Sequence, residues 1–468
     1  MDIIERLRAI TGPANIATGD DCAPWASDWT GNYKGQPLAV ARPGSTAEVA
    51  AIMALAHETG TPVVPVSGNT GLAGGAHAPG QLMISLDRMR AVREIRPAAR
   101  TAIVEAGVIL SHVHDAVAAH DLVFPVTLGA RGSALVGGIL STNAGGSNVV
   151  RFGNTREQVL GIEVVLPTGE ILDLMSELRK DNSGFDLRDL FIGAEGTLGI
   201  ITAAVLKLQP MPAAYATAMV ALPSLGDALT LLNRLQAATG GAVEAFEYMP
   251  AAYIERHLRL RPKARAPFDQ RHAVNIMVEI GATAPRDATL NEDGSLPIVD
   301  LLEQTLGEMT EEGGVLDAVV ARNEAQRAEM WARREDAGEM SVMQQPVLLM
   351  DVALPLDGVE HFLRQAETAF HAIDPEGQSM VVAHLGDGNV HLSMWPSKAG
   401  IPQSDAIVAR IEDVVADLGG SFSAEHGIGK AKRATMARRK NPVALDVMRR
   451  IKDALDPGGI MNPGKVIP

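Results

Sequence analysis

A β-hairpin with one histidine on each strand is predicted by Val382-Ala383-His384-Leu385-Gly386-Asp387-Gly388-Asn389-Val390-His391-Leu392. If Asp387 and Gly388 form a two-residue type I′ turn, the favoured loop of such hairpins, His384 lies directly opposite His391. Directly opposed residues on neighbouring strands have Cβ atoms about 4.5–5.5 Å apart. We therefore expect both imidazoles on one face of a sheet, where they could hold one metal ion or flank one substrate. Histidines that only pack together fit the same pattern.

The composition is that of an ordinary globular protein. Of the 468 residues, 46% are apolar and 21% are charged, and this length predicts two or three domains. The formal charge of −15 argues against binding to nucleic acids or anionic membranes, because these partners require basic surfaces. A small-molecule substrate is the better expectation.

The single cysteine and the first residues predict the compartment. Cys22 has no second cysteine to pair with, which fits a reducing environment. Met1-Asp2-Ile3-Ile4-Glu5-Arg6 carries acids where a targeting peptide has basic residues, and no apolar run is long enough to span a bilayer. We expect a cytoplasmic protein without a transmembrane segment. A homodimer is a further hypothesis for its assembly.

Local signals predict a mixed chain of helices and strands. A capping box at Ser45-Thr46-Ala47-Glu48 begins an apolar-periodic helix that ends at Gly60. A β-rich run from 61 to 66 follows the helix. Further strands are predicted at 82–86 and 102–106, and a further helix at 111–119.

The sequence changes in character at Pro210-Met211-Pro212, which we interpret as a domain boundary. After it, glycines become rarer and strands alternate with longer helices, of which the clearest is 405–418. The second domain is therefore predicted to be a sheet covered by helices. Its predicted strands are 242–248, 274–280, 315–321, 347–354, 380–383 and 390–394.

Three glycine-rich clusters lie before this boundary. Glycine allows positive φ and close backbone approach, and successive amides in such turns form a nest suited to an anion. A structural turn explains a single cluster equally well, and the first cluster has neither the Rossmann nor the Walker spacing. Three clusters in one domain exceed what turns require, so we predict an extended cofactor lying against the backbone. The clusters are 65–75, 128–138 continuing to 146, and 190–202.

Four further motifs accompany the clusters, at 151–153, 161–169, 423–430 and 456–465. The order of the three clusters, with 151–153 and 161–169 between them, resembles the FAD-binding domain of the vanillyl-alcohol-oxidase type of flavoenzymes. The resemblance continues through the stretch from His384 to His391 and through 423–430 and 456–465. Within that group the chain is most similar to the FAD-linked D-2-hydroxy-acid dehydrogenase family, in the branch with D-lactate and D-2-hydroxyglutarate dehydrogenases. The resemblance covers nearly the whole chain.

The resemblance implies an α+β fold in three segments. A two-subdomain FAD-binding domain spans 1–208, and a substrate (cap) domain spans 209–419, with an antiparallel sheet covered by helices. A C-terminal segment, 420–468, returns to the FAD domain and completes the active site. No histidine stands in the first loop to tether the flavin, so non-covalent FAD is expected. The residues implied to contact FAD are Ser67, Gly68, Asn69, Thr70, Gly71, Leu72, Leu128, Gly129, Gly132, Ser133, Gly137, Gly138, Asn143, Glu195, Gly196, Ile200, Ile201 and Asn462.

The catalytic groups implied by the resemblance come from the hairpin and the tail. His384, His391 and Glu425 are implied to bind a divalent metal, with zinc as the expected ion, and His426 to act as general base. Two histidines and one carboxylate leave an open position on such an ion, as catalytic sites require. Histidine suits the base because its unperturbed pKa lies nearest neutrality.

A 2-hydroxy acid also carries a carboxylate, which calls for a bidentate cation. The segment 331–335 resembles the family's substrate-binding segment, and its register favours Arg334, although a helix arginine in a solvated salt bridge fits too. The 2-hydroxyglutarate branch carries Thr, Lys and Asn where this chain has Gly338, Leu349 and Ser393. Ser393 is kept as a substrate-contacting position, and specificity for a glutarate-type acid is in doubt.

Three hypotheses follow for the function. The first is an FAD-dependent dehydrogenase that oxidises a D-2-hydroxy acid to the 2-oxo acid by metal-assisted hydride transfer, with an electron-transfer flavoprotein or a quinone as acceptor. The second is an oxidase that uses dioxygen on the same scaffold. The third is a metal-dependent binding protein whose flavin loops are vestigial.

Overall fold

The computed structural model describes residues 2–398 and 400–468, and the chain divides into two compact units. The first unit comprises Met1–Gly145, Asn154–Pro210 and Glu425–Pro468, and the second comprises Gly146–Gly153 and Met211–Ala424. The short segment Gly146–Gly153 therefore belongs with the second unit, whereas the sequence-based boundaries counted it in 1–208.

The described residues form these elements. In chain order the strands are β1 (Ile16–Ala17), β2 (Ala39–Ala41), β3 (Val63–Val66), β4 (Leu82–Ser85), β5 (Val92–Arg96), β6 (Thr101–Glu105), β7 (Leu122–Val123), β8 (Val159–Val165), β9 (Ile171–Leu174), β10 (Ile200–Lys207), β11 (Gln209–Pro210), β12 (Ala214–Leu222), β13 (Val243–Tyr248), β14 (Val274–Ala282), β15 (Asp317–Val320), β16 (Leu348–Ala353), β17 (Gln378–His384) and β18 (Asn389–Trp395). The α-helices are α1 (Ile3–Thr11), α2 (Thr46–Thr59), α3 (Leu110–Ala118), α4 (Val136–Thr142), α5 (Val149–Phe152), α6 (Arg188–Phe191), α7 (Leu225–Thr239), α8 (Ala251–Leu260), α9 (Pro285–Ala288), α10 (Pro297–Glu311), α11 (Glu324–Glu335), α12 (Ala337–Val342), α13 (Val359–Ile373), α14 (Ile401–Asp417), α15 (Arg433–Arg439) and α16 (Pro442–Leu455).

The first unit contains two larger sheets, each with its own apolar core. In the sheet β1-β2-β4-β3, the strands β2, β4 and β3 are parallel, and helix α2 supplies the crossover that parallel strands need. The sheet β5-β6-β10-β8-β9 is antiparallel. The two sheets carry the three glycine clusters in their connections.

Helix α2 begins and ends as its sequence predicts. Ser45 Oγ accepts a hydrogen bond from the Glu48 amide at 3.2 Å, and Gly60 ends the helix in the left-handed conformation at φ 63°. The Glu48 carboxylate accepts from the Gly44 amide at 2.7 Å, one residue before the partner that a standard capping box uses. A serine cap of this kind stabilises its helix by about 1 kcal/mol.

The second unit is one seven-stranded antiparallel sheet with helices on both faces, in the order β15-β12-β14-β13-β17-β18-β16. Along β14, Ile276 and Val278 pack in the core formed with α7, α10, α13 and α14. Met277 points the other way, into a second cluster with residues of α8, α11 and α12. The prediction of an antiparallel sheet covered by helices is confirmed.

The predicted register of the histidine hairpin is wrong. Residues 385–388 form a four-residue loop, so His384 pairs with Asn389 and His391 pairs with Val382. The loop is held from outside, because the Leu354 amide donates to Gly388 O at 3.0 Å and a Cβ on Gly388 would lie 2.2 Å from Leu354 O. The register differs from the prediction by two residues, an even number, so both histidines still point to the same face.

Strand β12 was not predicted. Its sequence from Ala214 to Leu222 contains four alanines, which have weak β propensity. It forms because it is flanked by β14 and β15 and is buried along most of its length. Tertiary pairing here overrides the local signal.

Candidate functional site

One face of the seven-stranded sheet carries a row of polar side chains on adjacent strands. Asp351 of β16 pairs with His391 of β18, and His391 pairs in turn with Val382 of β17. Two residues further along β17, His384 pairs with Glu247 of β13. Since directly paired residues of antiparallel strands point to the same face, Asp351, His391, His384 and Glu247 form one row.

The two histidine rings are neighbours in this row. Their centroids lie 5.3 Å apart with an angle of 81° between the ring planes. His384 is buried, whereas 21% of the His391 side chain is exposed. The diagonal register therefore brings the imidazoles close together on one face, as the sequence predicted by a different pairing.

Glu247, at one end of this row, is fully buried and contacts two of the predicted site residues. Its Oε1 lies 2.8 Å from His384 Nδ1, and its Oε2 accepts from Arg334 Nε at 2.6 Å. Burial alone would raise the pKa of this carboxyl, but the adjacent His384 and Arg334 lower it to about 2. Glu247 is thus a buried anion with two cationic or polar donors.

Arg334 reaches the row from helix α11 and is itself 8% exposed. Its Nη2 lies 3.3 Å from Nε2 and 3.4 Å from Nδ1 of His384. Its neighbour Arg333 is turned elsewhere and donates to Arg265 O at 2.9 Å. Of the two arginines in the segment 331–335, Arg334 is therefore the one beside the histidine.

The other end of the row has the donor chemistry of a metal site. Asp351 is 1% exposed, accepts from Asn389 Nδ2 at 2.8 Å, and has its Oδ1 3.7 Å from His391 Nδ1. Asp351 and His391 offer ligand atoms within 4.8 Å of each other. Carboxylate oxygen and imidazole nitrogen are ligands that suit zinc and similar divalent ions.

Glu425 and His426 lie in the first unit, at the point where the chain leaves the second. Glu425 Oε1 and His426 Nε2 are 3.7 Å apart, and about a fifth to a quarter of each side chain is exposed. The preceding residues belong to the second unit: Ser421 pairs with Ala353, and the Ala424 amide donates to Asp351 O at 3.3 Å. The segment before Glu425 therefore runs beside the strand that carries Asp351.

Ser393 is placed on the same sheet face but is 3% exposed, and its hydroxyl donates to Ser341 Oγ at 2.9 Å. Leu349 is its partner across the strands and is 39% exposed. A Cβ on Gly338 would meet no heavy atom within 4 Å. Ser393, Leu349 and Gly338 thus carry a small or apolar side chain or none, and none of the three is a cation.

In the first unit, the first two glycine clusters pack backbone to backbone. A Cβ on Gly68 would lie 2.3 Å from Ser133 O, and a Cβ on Gly138 would lie 3.0 Å from Ser67 Cβ. Gly137 packs against the end of β6 instead, where a Cβ would lie 2.8 Å from that of Ala106. Glycine is thus required where these loops approach each other.

The same loops also present an open side. A Cβ on Gly71, Gly129 or Gly132 would meet nothing within 4 Å. Ser67 Oγ is buried without a hydrogen-bond partner within the protein, and buried polar atoms normally have one. The remaining residues implied here, Thr70, Leu72 and Leu128, are partly buried.

Two asparagines of the implied FAD set hold the backbone in left-handed conformations. Asn69 (φ 50°) donates to Ser27 O at 2.9 Å, and Asn143 (φ 51°) accepts from the Arg156 amide at 2.9 Å. Asn462 in the tail (φ 41°) donates to Glu195 O at 2.8 Å, while its buried Oδ1 has no partner within the protein. Ser67 and Asn462 therefore each offer an unsatisfied polar atom.

The third cluster meets the tail through Glu195. Its two carboxylate oxygens accept from the Ile428 and Gly429 amides, both at 2.7 Å, which fixes the turn that follows His426. Burial raises the pKa of Glu195 in spite of these amides. Gly196 (φ 70°) lies against Pro65, where a Cβ would be 2.4 Å from its ring.

Ile200 and Ile201 belong to β10 and are 2% and 3% exposed, so their side chains lie in the apolar cores. Neither side chain is therefore exposed for contact with a ligand.

The residues present fit the two groups that the sequence implies. The open glycines of the first two clusters and the unsatisfied atoms Ser67 Oγ and Asn462 Oδ1 suit an extended polar ligand such as FAD. Asp351 and His391 suit a divalent ion. Because the Glu247 carboxylate contacts His384 Nδ1, Nε2 is the nitrogen of His384 that could bind the same ion. Among the described residues, no helix is both long and apolar enough to cross a membrane.

Sequence reasoning did not name Glu247 or Asp351 as site residues. The available signal was a strand, Val243-Glu244-Ala245-Phe246-Glu247-Tyr248, in which acids interrupt a run that is otherwise mostly apolar. In a sheet covered on both faces, such acids are buried and need cationic or hydrogen-bonding partners.

Comparison with known proteins gives matches over both units. The family described as "FAD linked oxidases, C-terminal domain" matches residues 211–466, and the one described as "FAD binding domain" matches 37–175. D-2-hydroxyglutarate dehydrogenase of Xanthomonas citri pv. viticola is 35% identical over 99% of this chain and 95% of its own length.

A mitochondrial D-2-hydroxyglutarate dehydrogenase of Bos taurus is 33% identical over 100% of this chain and 84% of its own length. The solved structure of p-cresol methylhydroxylase superposes with a TM-score of 0.76 at 16% identity, covering 99% of this chain and 96% of that one. The structural match shows that the fold is of the vanillyl-alcohol-oxidase type. The two sequence matches show the family. The chain belongs to the FAD-linked D-2-hydroxy-acid dehydrogenase family and is an FAD-dependent oxidoreductase acting on CH–OH groups.

Proposed function

We propose that this enzyme oxidises a D-2-hydroxy acid of the D-lactate or D-2-hydroxyglutarate class to the 2-oxo acid, with non-covalently bound FAD as hydride acceptor. The observation that carries the proposal is the contact of Arg334 with His384 on a sheet face that also holds His391 and Asp351. A guanidinium beside imidazoles can bind a carboxylate next to a reacting hydroxyl. The names of the two relatives agree with this substrate class.

Each protein group has a distinct role in the proposal. Arg334 binds the substrate carboxylate, and His426 removes the hydroxyl proton while the C2 hydride is transferred. His384, His391 and Glu425 hold a divalent metal, with zinc as the expected ion and Asp351 beside His391 as a further ligand or hydrogen-bond acceptor. When bound, such an ion polarises the hydroxyl and lowers its pKa, and FAD takes the two electrons.

The substrate test is anaerobic bleaching of the flavin by a panel of D- and L-2-hydroxy acids. The proposal expects bleaching by at least one D-acid and none by its L-enantiomer. Leu349, Ser393 and Gly338 offer no cation to a second carboxylate, so we expect short or uncharged side chains to be preferred over glutarate types. Purified protein that lacks flavin absorbance and does not regain it with added FAD would contradict the proposal.

The proton and metal roles are tested separately. His426→Ala is expected to slow bleaching about 10²–10⁴-fold at unchanged FAD content, because it removes a general base. Unaltered bleaching would remove His426 from this role. Chelation is expected to slow bleaching and a series of metal additions to restore it, with zinc among the effective ions.

The acceptor, assembly and location are further parts of the proposal. We infer a dehydrogenase that reduces an electron-transfer flavoprotein or a quinone; rapid reoxidation of the reduced flavin by air in stopped-flow would favour the oxidase alternative instead. A homodimer is tested by light scattering. A cytoplasmic location stays a prediction for cell fractionation, since the Bos taurus relative is named as mitochondrial.

A further inference from the structure

We propose that Glu247 is a positioning residue that orients two site residues with one carboxylate: His384 through Nδ1 and Arg334 through Nε. The inference rests on the proposed function, because it assigns Glu247 to the same site. Glu247 is 0% exposed, so it does not touch substrate directly. Its effect would pass through the two side chains that it holds.

The contact with His384 determines which ring nitrogen carries a proton. An ionised carboxylate only accepts hydrogen bonds, so the 2.8 Å approach of Glu247 Oε1 to Nδ1 requires the proton to be on Nδ1. A neutral ring then presents the lone pair of Nε2. Carboxylates that hold a ligand histidine in this way fix its tautomer and raise the basicity of its other nitrogen.

The contact with Arg334 orients the guanidinium plane. Arg334 gives its Nε to Glu247 Oε2 at 2.6 Å, and its Nη2 lies beside the His384 ring. Because the guanidinium is planar, holding Nε also sets the direction of both Nη groups. One buried anion therefore sets the relative placement of a carboxylate-binding group and a metal-binding group.

Helix α11 supplies a matched control seven residues earlier. Arg327 binds the buried Glu279 of β14 with two hydrogen bonds, from Nε at 2.6 Å and from Nη2 at 2.8 Å. Trp331 and Thr217 also donate to Glu279 Oε2, at 2.9 and 2.7 Å. Glu279 is also buried, at 3% exposure, and also pairs with an arginine of α11, but it contacts no histidine of the row.

The test compares Glu247→Gln, Glu247→Asp and Glu279→Gln with the unaltered holoenzyme containing FAD. Two equilibrium constants are measured for each protein: that for Zn²⁺, by competition with a fluorescent chelator, and that for oxalate, by perturbation of the flavin spectrum. Glutamine keeps the size of glutamate but turns an NH₂ toward one of the two N–H donors. Aspartate keeps the charge but is one methylene shorter.

A positioning role predicts that Glu247→Gln weakens Zn²⁺ binding about 10–100-fold and oxalate binding about 10-fold. Glu247→Asp should restore part of both affinities. Glu279→Gln should bind both within about twofold of the unaltered enzyme, even if it melts earlier. Unchanged or tighter binding in Glu247→Gln, or equal losses in Glu279→Gln, overturns the inference.

If Glu247→Gln does not fold, Glu247→Asp decides the matter, since wild-type affinity for both probes would then overturn the inference. Failure of the proposed function is a separate result. It would appear as an unaltered enzyme whose flavin no 2-hydroxy acid bleaches, whatever the Zn²⁺ and oxalate constants are.

Discussion

Helix α11 places two arginines over two buried glutamates of one sheet face, and the two pairs differ in what their hydrogen bonds reach. Arg327 turns Nε and Nη2 onto Glu279, which also receives Trp331 and Thr217. Arg334 gives Nε to Glu247, which it shares with His384. The Glu279 carboxylate accepts hydrogen bonds from an arginine, a tryptophan and a threonine. The Glu247 carboxylate is shared by an arginine and a histidine of the candidate site.

Burial and charge pairing alone therefore do not identify a functional site. Glu247 and Glu279 are 0% and 3% exposed, and each faces an arginine of the same helix. The arginine gives two hydrogen bonds to Glu279 and one to Glu247, and the further partners are an imidazole at Glu247 and an indole with a hydroxyl at Glu279.

The largest effect is expected from truncating the arginines. Arg334→Ala leaves Glu247 without its buried cation and should lower the free energy of unfolding by about 3–5 kcal/mol. If Arg334 binds the substrate carboxylate as proposed, the change should also lower kcat/KM about a hundredfold or more. Arg327→Ala should cost similar stability with kcat/KM within about twofold. Urea unfolding and steady-state kinetics measure both, and equal kinetic losses would break the distinction between the pairs.

An intermediate effect on stability is expected from Glu244, a third buried glutamate of this sheet, which lies on β13. Its partner Arg151 donates a hydrogen bond to it at 2.6 Å. Burial raises the pKa of Glu244 to about 7 against the pull of Arg151 and Arg327, with Glu279 and Tyr215 also nearby. The folded state therefore binds this proton more tightly than the unfolded chain.

The contribution of Glu244 to the free energy of unfolding should be fully present below pH 4.5 and should be lost as the pH rises toward 7. The difference between 4.5 and about 7 corresponds to roughly 3 kcal/mol. Unfolding free energies of Glu244→Gln and the unaltered protein, measured between pH 5 and 8, should differ in slope. Parallel curves would show that Glu244 does not titrate in this range.

The smallest effect is expected from Thr217→Val, which removes one donor from Glu279. A hydrogen bond to a charged group contributes about 1.5 kcal/mol to stability, and three donors to Glu279 are retained. The melting temperature should fall slightly while kcat and KM are unchanged. A change in KM would mean that the Glu279 pair is coupled to the site after all.

Much of the fold followed from local signals. Helix α2 was predicted from Ser45, Glu48 and Gly60 because caps act over a few residues. The second sheet followed from runs of apolar residues that must be buried. Strand β12 did not, because alanines carry little strand preference and the strand depends on its neighbours.

The site was predicted in part, for a physical reason. His384 and His391 were expected on one face, and an even change of register preserved that face although the loop length was wrong. Glu247 was not foreseen, because local patterns do not show which helix covers this face of the strand or which cation it brings to the carboxylate. Its pairing with Arg334 spans 87 residues, and spacing cannot show it.

The segment Gly146–Gly153 has a consequence for protein engineering. Arg151 of this segment is the cation that pairs with Glu244 and also donates to Gly281 O at 2.8 Å, and Val150 lies against Gly386, where a Cβ would be 2.6 Å away. A fragment cut at Pro210 would lose these contacts and expose the end of the histidine hairpin. Chimeras that exchange substrate domains between relatives should therefore transplant residues 146–153 together with 211–424, since the exchangeable module is discontinuous in sequence.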